Sequence, residues 1–134
     1  MKYSIKASAT ATKNAAVNVK ESEIMFGITP ETADILPNPA ELYLGSFAAC
    51  ALKNVERFSI IMNFEYSKAE ITVSATRLKQ PPRMDEIIYE LSVYSQDDSL
   101  NIDLLHKNIE KFGTIFNTVK ASCSVMGEIK KIMG

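Results

Sequence analysis

Between Asn38 and Met62 the chain reads NPAELYLGSFAACALKNVERFSIIM, and this run constrains the fold more than any other. Asn38 as N-cap, Pro39 at the first helical position and Glu41 three residues past the cap are three coincident signals for a helix start. Leu42, Tyr43, Leu44, Phe47, Ala48, Ala51, Leu52, Val55, Phe58 and Ile61 then make this helix apolar over most of its circumference. Only a helix covered on several sides tolerates that pattern. Lys53, Glu56 and Arg57 interrupt the apolar surface, so the run is not an uninterrupted membrane span. It is expected to be the central helix of the fold.

The flanks read as sheet. Tyr3–Ala11 (YSIKASATA) and Ala16–Lys20 (AVNVK) alternate on either side of the polar turn Lys13-Asn14 and predict a hairpin. Glu23–Phe26 adds a short strand ending at Gly27, and Thr29–Pro39, with three prolines, reads as a loop. Beyond the helix, AEITVSATRL (69–78) and EIIYELSVYS (86–95) predict two strands, separated by a loop KQPPRMD that Pro81 and Pro82 keep unpaired. Ile102, Leu105, Ile109, Phe112 and Phe116 have helical spacing, which predicts a second helix interrupted near Gly113. The tail SCSVMGEIKKIM reads as a last strand carrying Cys123. Sheet segments flanking two long helices, with no repeat and no βαβ rhythm, make an α+β domain, and 134 residues suit one such domain over 1–134.

Fifteen basic and sixteen acidic residues leave a formal charge of −1, with the lysines scattered singly among acids. No basic and aromatic stripe accompanies them, so nucleic acid is not an expected partner. The start MKYSIKASATATK alternates and lacks the apolar core of a secretory leader, which points to a cytoplasmic protein. In that compartment two cysteines are expected to be reduced, reactive or simply buried. Two separated cysteines and the single His106, on the polar side of its helix, offer no metal-ligand cluster, so neither a metal nor a cofactor is expected. His106 reads as a solvated side chain. No glycine-rich phosphate loop or G-x-S-x-G elbow is present.

Cys50 is the remaining candidate nucleophile. At about 100° per residue, Tyr43, Ser46, Phe47, Asn54 and Arg57 share its helix face and Lys53 lies beside it. A cation there favours the thiolate, whereas packing among Ala48, Ala49 and Ala51 disfavours it, so composition alone leaves a reactive thiol and a small core filler both open.

NPAELYLGSFAACAL resembles the first-helix motif of the OsmC/Ohr superfamily, S/N-P-x-E-L-L-x-x-x-x-A-x-C. The order of elements resembles that family over essentially the whole chain. The resemblance implies two long central helices packed against antiparallel sheets in an intertwined homodimer, with active sites at the subunit interface. It also implies a thiol peroxidase that reduces organic hydroperoxides, with Cys50 as the peroxidatic residue. In such enzymes a second cysteine condenses with the resulting sulfenic acid, and an external dithiol reduces the disulfide.

The chain departs from that pattern at three of four catalytic positions. The motif of the second cysteine corresponds to KFGTIFNTVK (111–120) and puts Gly113 where the cysteine stands, with Cys123 ten residues later. The family's glutamate, ten residues before the first cysteine, falls on Ala40; Glu41 points off the Cys50 face and suits the capping box. The hairpin arginine is matched by Lys13, which keeps the charge without the planar fork. The expectation is therefore a one-cysteine peroxidase whose Cys50 sulfenic acid is resolved by an external low-molecular-weight thiol. Lys53, Arg57 or Lys13 of the dimer partner supplies positive charge, and Cys123 is a subordinate candidate for the resolving thiol. The alternative is a non-catalytic small-molecule binding protein in which Tyr43, Phe47 and Phe58 line an interface pocket; plain core packing of these aromatics is the other role open to them.

Overall fold

Alternation of small and β-branched residues gives the first fifth of the chain its sheet. β1 (Lys6–Thr10), β2 (Asn14–Val19) and β3 (Ser22–Phe26) form an antiparallel meander in which Ala9 faces Ala15 and Val17 faces Ile24. The structure, a computed structural model describing all residues from Met1 to Gly134, divides into two compact units, Met1–Tyr43 and Leu44–Gly134. In the first unit the β1–β2 turn is Ala11–Lys13, one residue earlier than the expected Lys13-Asn14. Thr12 there takes the left-handed conformation at φ 62°, and Lys13 N donates to Thr10 O at 3.0 Å.

The proline-rich segment holds a single 3₁₀ turn, Pro30–Thr32, and is closed by Gly27 N donating to Pro37 O at 3.0 Å. A Cβ at Gly27 would lie 2.9 Å from Thr32 Oγ1, which explains a bare backbone at that closure. The first long helix, α1 (Pro39–Ile61), starts as its sequence signals require. Glu41 N donates to Asn38 Oδ1 at 2.8 Å, and Asn38 N donates to Glu41 Oε1 at 3.0 Å, a complete capping box.

From Leu44 onward α1 belongs to the second unit, where it buries Phe47, Ala51, Asn54, Val55 and Phe58 at the spacing of one helix face. Within the single chain Ile60 and Ile61, at the end of the helix, are 74% and 63% exposed. Two long strands follow, β4 (Lys68–Lys79) and β5 (Pro82–Tyr94), paired antiparallel with a register shift between Ser74 and Thr76. KQPPRMD is not a loop. Lys79 pairs with Pro82 around a turn containing the cis peptide Gln80–Pro81, and Pro82 sits at the first position of a strand, which proline tolerates.

The second helix breaks at Gly113 into α2 (Ile102–Phe112) and α3 (Thr114–Lys120), as expected. The last strand, β6 (Val125–Ile132), pairs parallel to β5, with Ile87 beside Val125 and Tyr89 beside Gly127. The second sheet is therefore mixed, and the absence of any βαβ unit is corrected. Parallel neighbours need a long crossover, and α2 with α3 provides it. β5 alternates buried Ile87, Tyr89, Leu91 and Val93 with more exposed residues, and with Leu105, Ile109, Phe116, Val119, Phe47 and Val55 these form the core of the unit.

Candidate active site at Cys50

Cys50 lies in the middle of α1, half-buried, with a free thiol. One turn on, Asn54 is only 8% exposed, and its Nδ2 donates to Cys50 O at 2.8 Å and to Cys50 Sγ at 3.6 Å. Opposite the sulfur stands the break between α2 and α3. A Cβ built on Gly113 would lie 3.4 Å from Cys50 Sγ, 2.8 Å from Ile109 O and 3.0 Å from Phe116 Cβ. Gly113 has φ −73° and ψ 115°, an extended conformation open to any residue, so the bare backbone reflects crowding and not dihedral need. Its N donates to Ile109 O at 3.0 Å and its O accepts from Asn117 N at 2.9 Å, which fixes the glycine against the sulfur.

The other sequence candidates are distributed around this centre. Lys53 is exposed on α1. Arg57 is also exposed, and its guanidinium carbon lies 5.3 Å from the centroid of the adjoining Phe58 ring. Phe58 is buried against Phe112 at 5.9 Å, and Phe47 is buried between Tyr89 and Phe116, at 5.6 Å from each. Both rings thus have the core-packing role that their sequence positions also allowed. Tyr43 and Lys13 belong to the first unit, Tyr43 as its last residue, on α1, and Lys13 on the β1–β2 turn; Ala40 is there too, in the first turn of α1. Cys123 sits in the turn before β6 and not in the strand, with Sγ 3.2 Å from Met84 O and 3.7 Å from Ser122 Oγ.

His106 is not the solvated side chain expected. Its Nε2 lies 2.9 Å from Glu110 Oε2 and 3.1 Å from the hydroxyl of Tyr89, which donates to Glu110 Oε2 at 2.6 Å. Burial and the neighbouring carboxylate hold the Tyr89 phenol far above its ordinary range. The ring of Tyr89 packs against Gly127, where a Cβ would come within 2.1 Å of it. A shallow concavity elsewhere in the second unit is bordered by Glu65, Tyr66, Ser95 and Asp97, and none of the candidate residues lines it. Within it Asp97 accepts from Ser99 Oγ, Glu65 N and Ser99 N, which keeps its carboxyl below the usual range.

The pattern of the OsmC-like protein family matches residues 31–126, which takes in the Cys50 helix, β4, β5 and the helical break but not the first sheet. The chain belongs to the OsmC-like family. The fold agrees throughout. An OsmC-like protein from Mycoplasma pneumoniae superimposes with a TM-score of 0.87 at 17% identity, over 98% of each chain. An organic hydroperoxide resistance protein from Elizabethkingia anophelis gives 0.72 at 13% identity, over 98% of each chain. An organic hydroperoxide resistance protein OsmC from Legionella pneumophila gives 0.67 at 15%, over 96% of this chain and 97% of that one. No curated protein sequence matches. No helix is long and apolar enough to cross a membrane.

Proposed function

We propose that this OsmC-like protein is a thiol-dependent reductase of organic hydroperoxides that works with one cysteine. The observation that carries the reading is the setting of Cys50 Sγ, with an amide donor at 3.6 Å on one side and, on the other, a glycine standing where the family's second thiol is expected. In the first step the Cys50 thiolate attacks the terminal oxygen of the hydroperoxide. An S–O bond forms, the O–O bond breaks, and the alkoxide takes up a proton and leaves as the alcohol; sulfur is oxidised by two electrons as the peroxide is reduced. With no cysteine at Gly113, a low-molecular-weight thiol condenses with the sulfenic acid, releasing water. A second thiol then exchanges with the mixed disulfide, returning the Cys50 thiol and a small-molecule disulfide.

The two free cysteines suit a reducing, cytoplasmic setting for this cycle. The reading includes a homodimer, supported by the exposed apolar side chains Ile60 and Ile61 and by Met126 on β6. The test is consumption of cumene hydroperoxide with a monothiol reductant. Wild type is expected to consume it and Cys50→Ser is not, whereas Cys123→Ser is expected to behave as wild type. Equal consumption by wild type and Cys50→Ser overturns the proposal.

A further inference from the structure

The family's arginine and glutamate positions hold Lys13, which belongs to the first unit, and Ala40, so on the Cys50 helix itself any group that holds an anionic sulfur must be another. Lys53 is exposed, and the guanidinium of Arg57 is drawn over Phe58. Asn54 is different. It is buried, it lies one turn from Cys50 on the same face, and a single nitrogen, Nδ2, reaches both Cys50 O at 2.8 Å and Cys50 Sγ at 3.6 Å. Since Nδ2 carries two hydrogens, these are two separate donations, and 3.6 Å is a workable length for a large, soft acceptor.

Burying an amide is unfavourable unless its polar atoms are used, and an apolar residue would fill the same helix position at lower cost. The backbone donation alone does not account for it, because bonding back to the carbonyl four residues earlier does not strengthen a helix. We infer that Asn54 is a catalytic residue whose second amide hydrogen holds the Cys50 sulfur as the nucleophilic thiolate, a neutral donor on the cysteine's own helix. The inference rests on the thiol reading of Cys50. It also gives the site a distinct character: a short-range dipole is screened by salt far less than an exposed ion pair, so nucleophilicity is nearly independent of ionic strength.

The experiment is the rate of iodoacetamide labelling at pH 7 in a Cys123→Ser background, comparing Asn54 with Asn54→Ser, Asn54→Leu and Asn54→Asp. A donation to an ionised group is worth at least about tenfold. Asn54→Ser and Asn54→Leu are therefore expected to label about tenfold more slowly, and Asn54→Asp more slowly still. Asn54→Ser retains a hydroxyl able to bond Cys50 O, so its urea midpoint is expected to stay close to that of Asn54; slow labelling in this folded variant separates the chemical role from a structural one. Labelling of Asn54→Ser and Asn54→Leu at the parental rate overturns the inference. So does a parental Cys50 that labels only after unfolding.

Hydroperoxide consumption measured on the same samples separates the two proposals. Asn54-dependent labelling without consumption removes the hydroperoxide reading and leaves Asn54 in its role. Consumption with Asn54-independent labelling does the reverse.

Discussion

Gly113→Cys, made in a Cys123→Ser background, turns the helical break into a direct test of the site's geometry. The new Cβ would lie 3.4 Å from Cys50 Sγ, while in a disulfide each sulfur is about 3.0 Å from the partner's Cβ, so a shift of a few tenths of an ångström closes the bond. In the reduced state the same atom meets Ile109 O at 2.8 Å and Phe116 Cβ at 3.0 Å. Overpacking of that kind costs about 1–3 kcal/mol, offset by roughly 0.5–1 kcal/mol because replacing glycine at an ordinary φ restricts the unfolded chain. The net loss is about 1–2 kcal/mol, which lowers the Tm by roughly 3–8 °C for a chain of this length. Oxidation with diamide links positions 50 and 113, and chain-entropy arguments give about 4 kcal/mol for a loop of that size. The oxidised form is therefore expected to melt about 10 °C above the reduced form, to lose two hydrogens by intact mass, and to protect Cys50 from alkylation. Oxidised and reduced samples that melt together, with both thiols still titratable, would refute the placement of Gly113 against the sulfur.

Gly127→Ala puts a methyl 2.1 Å from the ring of Tyr89, which must leave its buried place, and urea unfolding is expected to show a loss of about 3–5 kcal/mol. In a Tyr89→Ala background the further loss should shrink below about 1 kcal/mol; full additivity would show that the ring is not what the glycine accommodates. Tyr66, whose hydroxyl donates to Glu56, is pushed up from 10.0 to about 12 by desolvation and that carboxylate. Between these values the unfolded chain ionises the phenol and the folded chain does not, so stability present below about pH 10 is lost as pH rises towards 12. Tyr66→Phe is expected to flatten the fall of the urea midpoint over that window, and an unchanged slope counts against it.

The start of α1 was legible because a capping box is local: Asn38, Pro39 and Glu41 carry the whole signal within four residues. The break at Gly113 was legible for the same reason, and the family pattern places that glycine where a thiol would meet Cys50. Strand direction was not legible. Alternation along β6 shows which side chains share a face but is identical for parallel and antiparallel partners, so the pairing with β5 emerged only with the fold. Pro81 and Pro82 misled because a proline pair can occupy a tight turn and a strand's first position as well as a loop.

Helix periodicity alone presents His106 as a polar-face side chain. Its true partner is an inward tyrosine on β5, and the available signal was that a buried Tyr hydroxyl requires an acceptor, which the His106 and Glu110 pair offers at i, i+4. Asn54 lies on the right face of the helix, but face geometry cannot say which of the polar neighbours there turns a donor toward the sulfur.

The parallel partnership of β5 and β6 also orders events during synthesis. β4 and β5 close across a tight turn, a contact available within microseconds of emergence. β6 is translated only after α2 and α3, and until Ile132 has left the ribosome the far edge of β5 stays unpaired beside Ile87, Tyr89, Leu91 and Val93. A long-range strand closure of this kind is slow, and an open apolar edge is a template for pairing between chains. Substitutions in β6 should therefore be felt first as lost soluble yield from the cell, while the molecules that do finish folding keep an unaltered Cys50.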